Sequence, residues 1–192
     1  MFEGWGNYFA VLGEAAATLI GVMALVATLT SGSGNPARAE RGQRLFLTPT
    51  VFHMASVLTV SALTLAPRQS AAVHLLLMAG ALAWGLGYAL VVAVQLARVR
   101  GEASAHWSDF WCYGALPPCP YAAMLAALAF AQVRREAACA ALALSLLALL
   151  LVAMRNAWDL VTWLAPRRQT LNASDPPIEP TIGAMTGAQA AD

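Results

Sequence analysis

The sequence contains no lysine. All eleven basic residues are arginine, and with ten acidic residues the charged side chains make up only 11% of 192 positions. A soluble domain usually carries roughly 25% charge, so this chain lacks the side chains to clothe an ordinary water-facing surface. Its formal net charge of +1 offers no basic footprint for nucleic acid. No Lys or Arg precedes Arg38. The first apolar stretch therefore lacks the basic lead of a secretory signal peptide, and at about 22 residues it exceeds a signal's apolar core, so it reads as a retained anchor.

Chemistry-bearing motifs are also missing. Cys112, Cys119 and Cys139 are dispersed, with no spacing that suggests a disulfide frame or a zinc site, and read as small buried apolar filler. There is no nucleotide loop, no Gly-x-Ser-x-Gly elbow and no His-Glu-x-x-His pair. Ser56, Ser61 and Ser145 have no histidine at suggestive spacing. The expectation is a protein that is not an enzyme, without catalytic residues, metal or cofactor.

What is present is apolar. Hydrophobic residues make up 59% of the chain, against roughly 45 to 50% in soluble proteins. They lie in runs near the ~20 residues that cross a hydrocarbon core. The pattern predicts an all-α, polytopic helical membrane protein with about five transmembrane helices. The arginine-only, alanine-rich composition associates with GC-rich bacterial genomes, hence an expected bacterial inner membrane and a lipid-bilayer environment.

The expected spans are 8–30, 49–66, 71–97, 117–133 and 137–160, with a tail at 166–192 that has no hydrophobic period and is expected to be disordered. Phe2, Trp5 and Tyr8 are interfacial aromatics ahead of the first span. Thr48-Pro49 opens the second as a cap followed by a first-turn proline. Pro117, Pro118 and Pro120 cannot lie inside an intact helix. Either residues 106–116 form a short interfacial helix, with Trp107, Phe110 and Trp111 on its apolar edge, and the fourth span starts at the prolines, or the prolines break a span and bare its carbonyls to a cavity. The first arrangement is preferred.

Candidate functional residues are the polar side chains in or beside these spans. Glu14 is the one charge in the first span, and Gly13, Ala17 and Gly21 recur every four residues beside it as a ridge for close helix packing. Glu14 and Thr18 flank that ridge, so the acid is expected to face protein or a wet cavity, since an ionised carboxylate in hydrocarbon costs at least ~2.5 kcal/mol. The densest polar cluster, Arg155, Asn156 and Asp159, closes the fifth span, with Arg155 and Asp159 one helical turn apart. Paired intramembrane histidines such as His53 and His74 can ligate haem, but a hairpin over residues 68 and 69 separates these two in depth by ~15 Å. Both are expected to be polar packing residues.

Alternation over five spans puts seven arginines (38, 41, 44, 98, 100, 167 and 168) on one side and three (68, 134 and 135) on the other. The positive-inside bias then places the N-terminus outside and the C-terminus in the cytoplasm. Glu14 lies toward the outer side, whereas His53, Gln95, Arg155, Asn156 and Asp159 lie toward the inner. A Glu14–Arg155 ion pair within one subunit is not expected across ~15 Å of depth, and Asp159 is the natural partner of Arg155.

Two functional classes fit. One is a homo-oligomeric ion channel or small transporter, with the ridge of span one around an axis and Glu14 near the pathway. The other is a scaffold or accessory subunit that binds another membrane protein or anionic lipid, with the Arg155 cluster as an interfacial anchor.

Overall fold

A computed structural model describes residues 4–30, 47–67, 70–99 and 110–173. Among these the only regular structure is helical. We label the helices α1 (Gly6–Thr30), α2 (Thr48–Leu65), α3 (Ala71–Val99), α4 (Pro118–Phe130) and α5 (Arg135–Ala173), with a π-helical turn at Phe110–Ala115 ahead of α4. Five helical segments are long and apolar enough to cross a membrane, the fourth of them running Trp111–Phe130 and so joining the π turn to α4. Helices satisfy their own backbone groups, which is what an apolar solvent demands of a spanning segment.

The helices alternate in direction, and the side chains fix their levels. Tyr8, near the start of α1, directs its hydroxyl to the Ala143 carbonyl near the start of α5 at 3.4 Å. Met23, late in α1, packs in one cluster with Met54 of α2 and with Ala153 and Ala157 at the middle of α5, well beyond Ala143. So α1 and α5 run parallel. We call the end that holds the starts of α1, α3 and α5 the upper end, and the end that holds the starts of α2 and α4 the lower. By neighbours, α1 lies against α2 and α5, α2 against α3 and α5, and α4 between α3 and α5.

The core is continuous through these interfaces. Phe9, Leu12, Val57, Met78, Leu82, Met124, Leu142, Leu146 and Leu149 are buried together. Leu76, Trp84, Val91, Leu144 and Leu151 instead point outward and are largely exposed. An apolar outer surface of this extent is an aggregation hazard in water and an ordinary lipid-facing surface in a bilayer.

Several expectations need adjustment. The helix of the first span begins at Gly6 and that of the third reaches Val99, each close to its expected bound. α5 continues through Pro166 to Ala173, past the point where the tail was expected to start, and residues 174–192 lie outside the described residues. The α-helical part of the fourth span begins at Pro118, in the first turn, where the missing N–H is harmless, but the segment long enough to cross starts earlier, at Trp111, so the prolines lie within it. No described feature marks residues 110–115 as a separate interfacial helix, because the π turn runs directly into α4. Residues 100–109, including Trp107, lie outside the described residues. Of the cysteines only Cys139 is buried filler, whereas Cys112 is half-buried and Cys119 exposed.

Candidate functional site

The six pathway candidates separate into three places. Glu14 and Thr18 lie exposed on α1, Arg155 and Asp159 lie partly exposed on the outward side of α5, and His53 and Asn156 are buried at the lower end of the bundle. Arg155 Nη1 is 2.8 Å from Asp159 Oδ2, the within-helix pairing expected from their spacing. Trp158, between them, is 69% exposed. That trio faces away from the protein.

The buried polar residues form the densest chemistry in the fold. His53 sits one turn into α2, and its Nδ1 lies 3.0 Å from the Tyr121 hydroxyl in the first turn of α4. Ser56, one turn further along α2, directs its hydroxyl to the Phe52 carbonyl at 2.9 Å and lies beside the Tyr121 hydroxyl. Tyr88 of α3 stacks on Phe52, with ring centroids 4.0 Å apart, and meets the His53 ring edge-on at 6.4 Å. Tyr121 fits only because position 85 of α3 is glycine, since a Cβ there would overlap its ring. Helices α2, α3 and α4 therefore meet at one His–Tyr contact.

Asn156 belongs to the same level but serves the π turn. In an α-helix the Leu116 N–H would bond the Cys112 carbonyl. Here it bonds the Trp111 carbonyl instead, at 2.9 Å, which frees the Cys112 oxygen. The Asn156 amide nitrogen donates to that oxygen at 3.1 Å, and Tyr113 returns a hydrogen bond from its hydroxyl to the Asn156 carbonyl at 2.8 Å. The next displaced acceptor is covered likewise: Cys119 N–H bonds the Leu116 carbonyl at 3.2 Å, and the Cys119 thiol covers the Ala115 carbonyl at 3.6 Å. Proline removes backbone donors, and side chains supply two replacements. The carbonyls at Cys112 and Ala115 thus face protein donors, not an open cavity.

Two polar atoms in this layer remain without a partner among the described residues, His53 Nε2 and Asn156 Oδ1. Both residues are 1% exposed. Ser61 Oγ, higher in α2, is a third such atom. No group of three or more His, Cys, Asp or Glu among the described residues is placed to hold a metal ion.

On α1 the expected ridge divides. Gly13 is buried against α2, where a Cβ would lie 3.1 Å from Ser61 Cβ, but Ala17 is exposed and Gly21 has nothing within 4 Å of where its Cβ would be. The reason is helical phase: positions four apart advance by about 40° per step around the helix, so the row turns away from α2. Among the exposed positions of α1, which also include Ala17, Val22 and Ala24, one row follows another period. Asn7, Val11, Glu14, Thr18, Gly21, Leu25 and Thr28 are all exposed, at alternating spacings of four and three. Thr18 and Thr28 return their hydroxyls to the Glu14 and Leu25 carbonyls. The Glu14 carboxylate has no hydrogen-bond or ion-pair partner among the described residues.

Tyr88, Tyr113, Tyr121 and Gly85 were not singled out from the sequence. A tyrosine among apolar residues signals nothing until its hydroxyl finds a partner, although Pro120-Tyr121 beside a proline-broken turn was a visible cue. No family model matches the chain, and no curated protein or solved structure resembles it.

Proposed function

We propose that this is a bacterial inner-membrane protein that self-associates through α1, and that the assembled α1 helices line a path for cations with Glu14 as its ring of carboxylates. The observation that carries this reading is the exposed row on α1. Seven positions at alternating spacings of four and three form the 3.5-residue seam along which parallel helices supercoil. On a helix facing only lipid that seam would be apolar, yet it holds Asn7, Glu14, Thr18 and Thr28. An ionised Glu14 facing hydrocarbon costs at least ~2.5 kcal/mol, and a ring of copies around a wet axis removes that cost while concentrating negative charge.

The lower end supports an orientation with the C-terminus in the cytoplasm. Arg155, Asp159 and Trp158 project outward together, as suits residues anchored at headgroup level beside anionic lipid. The arginine asymmetry of the loops points the same way. Residues 31–46, which hold Arg38, Arg41 and Arg44, lie outside the described residues.

The test is native mass spectrometry of the full chain in nanodiscs, paired with cation flux in liposomes. The expected result is a homo-oligomer that passes cations, with selectivity altered by Glu14→Gln. A monomer that does not conduct refutes the proposal. A stoichiometric complex with a different membrane protein, isolated in mild detergent, would assign the α1 face to an accessory-subunit role instead.

A further inference from the structure

Nothing among the described residues of one subunit offsets the charge of Glu14. Its carboxylate has neither a hydrogen bond nor an ion pair there, and Arg155 is already held by Asp159 at 2.8 Å. The charge stands on the exposed row of α1, between Val11 and Thr18. In a parallel ring closed by rotational symmetry, each position of such a seam meets its own copies around the axis. The row therefore works against itself. Val11, Gly21 and Leu25 let the helices gather, while the Glu14 carboxylates of neighbouring copies repel, since like charges brought together oppose the association that brings them there.

Thr18 decides what relieves that repulsion. Its hydroxyl proton is committed to the Glu14 carbonyl at 2.9 Å, so outward it offers an oxygen lone pair. It stands one turn beyond Glu14 on the same exposed row, and helical side chains lean toward the N-terminus, which carries its oxygen toward the Glu14 level. Carboxylate and hydroxyl oxygens suit hard cations, whereas softer metals favour imidazole and thiolate. α1 contains no histidine and no cysteine.

We propose that the Glu14 carboxylates and Thr18 hydroxyl oxygens of neighbouring copies form an all-oxygen site for a hard metal cation, and that filling this site is the condition on which the α1 helices assemble. One subunit supplies a single carboxylate and a single hydroxyl, whereas a calcium ion takes about 6 to 8 oxygens. The site is incomplete without the partner copies. A cation held by the assembled form and not by the monomer draws the equilibrium toward assembly by mass action. This rests on the α1 assembly proposed above and adds to it a dependence on the cation that the path carries.

The experiment measures energy transfer between donor- and acceptor-labelled copies of the full chain in neutral phosphatidylcholine liposomes, diluted stepwise with lipid. Choline chloride, whose cation screens but cannot be coordinated, is replaced at constant ionic strength by calcium chloride or potassium chloride. Wild type is expected to assemble at a protein-to-lipid ratio at least tenfold lower in calcium than in choline, with a smaller shift in potassium, because one divalent ion offsets two carboxylates. Glu14→Gln removes the repulsion and should assemble equally well in all three salts. Thr18→Val keeps the shape and the charge but loses the oxygen, so it should need several-fold more calcium for the same assembly. Wild type that assembles equally in all three salts overturns the inference and leaves α1 self-association standing, as would follow if the carboxyls met the repulsion by taking up protons. Glu14→Gln that stays monomeric where wild type assembles shows that Glu14 holds the helices together unaided, and also overturns it. A calcium response unchanged in Thr18→Val refutes the two-oxygen site. Monomers of wild type and Glu14→Gln in every salt refute α1 self-association itself.

Discussion

Substituting alanine for each of three glycines in α3 separates a packing glycine from two incidental ones. A Cβ at Gly80 or Gly87 meets nothing within 4 Å, whereas one at Gly85 would overlap the Tyr121 ring. Alanine in a helix interior is intrinsically better than glycine by about 0.8 to 1 kcal/mol, so Gly80→Ala and Gly87→Ala should be neutral or stabilise by up to that amount. At Gly85 the same gain is opposed by overpacking, typically about 1 to 3 kcal/mol. Tyr121 is fully buried and tethered to His53, so it cannot swing clear without breaking that bond, and a membrane interhelical hydrogen bond adds about 0.6 to 1.7 kcal/mol. The net expectation for Gly85→Ala is destabilisation by about 1 to 3 kcal/mol. Unfolding measured by steric trapping in bicelles reads all three variants on one scale. The Gly85→Ala, Tyr121→Leu double variant should recover part of the loss, with a coupling of about 0.5 to 3 kcal/mol. If Gly85→Ala proves as stable as Gly87→Ala, Tyr121 does not occupy that notch, and the meeting of α2, α3 and α4 at one His–Tyr contact is wrong.

Tyr121→Phe keeps the ring and removes only the hydroxyl, so it should lower stability by about 0.6 to 1.7 kcal/mol in the same assay and shift the His53 imidazole signals; no change in either would show that the 3.0 Å contact carries nothing. Asn156→Leu strips the Cys112 carbonyl of its donor, expected to cost about 1 to 3 kcal/mol and to speed hydrogen exchange around Leu116, whereas unchanged exchange there would mean the π turn holds itself. Arg155→Ala breaks an exposed pair worth about 0 to 1 kcal/mol, so melting should barely move while binding to anionic vesicles falls; a large loss of stability would show that Arg155 has further protein partners. Thr18→Leu on the exposed row of α1 should reduce the oligomer in native mass spectrometry and leave the fold of each subunit intact, as judged by helical circular dichroism.

The helical spans were legible because they depend on composition over ~20 residues, a property each run states locally. The Arg155–Asp159 pair was legible for the same reason: one helical turn separates the two, and no other element is needed. Neither condition holds for the polar layer. His53 and Tyr121 are 68 positions apart and Asn156 and Cys112 44 apart, and the sequence gives no means of rotating one helix against another. Depth could be reasoned from alternation and placed His53 and Asn156 at one level. Rotation could not, which is why Glu14 was expected to face protein or water yet lies on the outside of the single subunit. The ridge of Gly13, Ala17 and Gly21 shows the same limit, because a period of four drifts around a helix of 3.6 residues per turn, and only its first member reaches α2.

The proline cluster shows how such a drift in one element is absorbed by another. Three prolines within four positions remove donors that α4 would need if it continued back through residue 116. The π register at Phe110–Ala115 shifts the remaining backbone bonds and leaves the Cys112 and Ala115 carbonyls to be covered by side chains. In an apolar medium, uncovered carbonyls cost several kcal/mol each, so an amide donor on the neighbouring helix is a requirement of the turn. That requirement holds Asn156 in place and aims its remaining oxygen away from the turn. Asn156, one of the three polar residues of α5 that the sequence marks as pathway candidates, is therefore fixed first by the backbone of the fourth span.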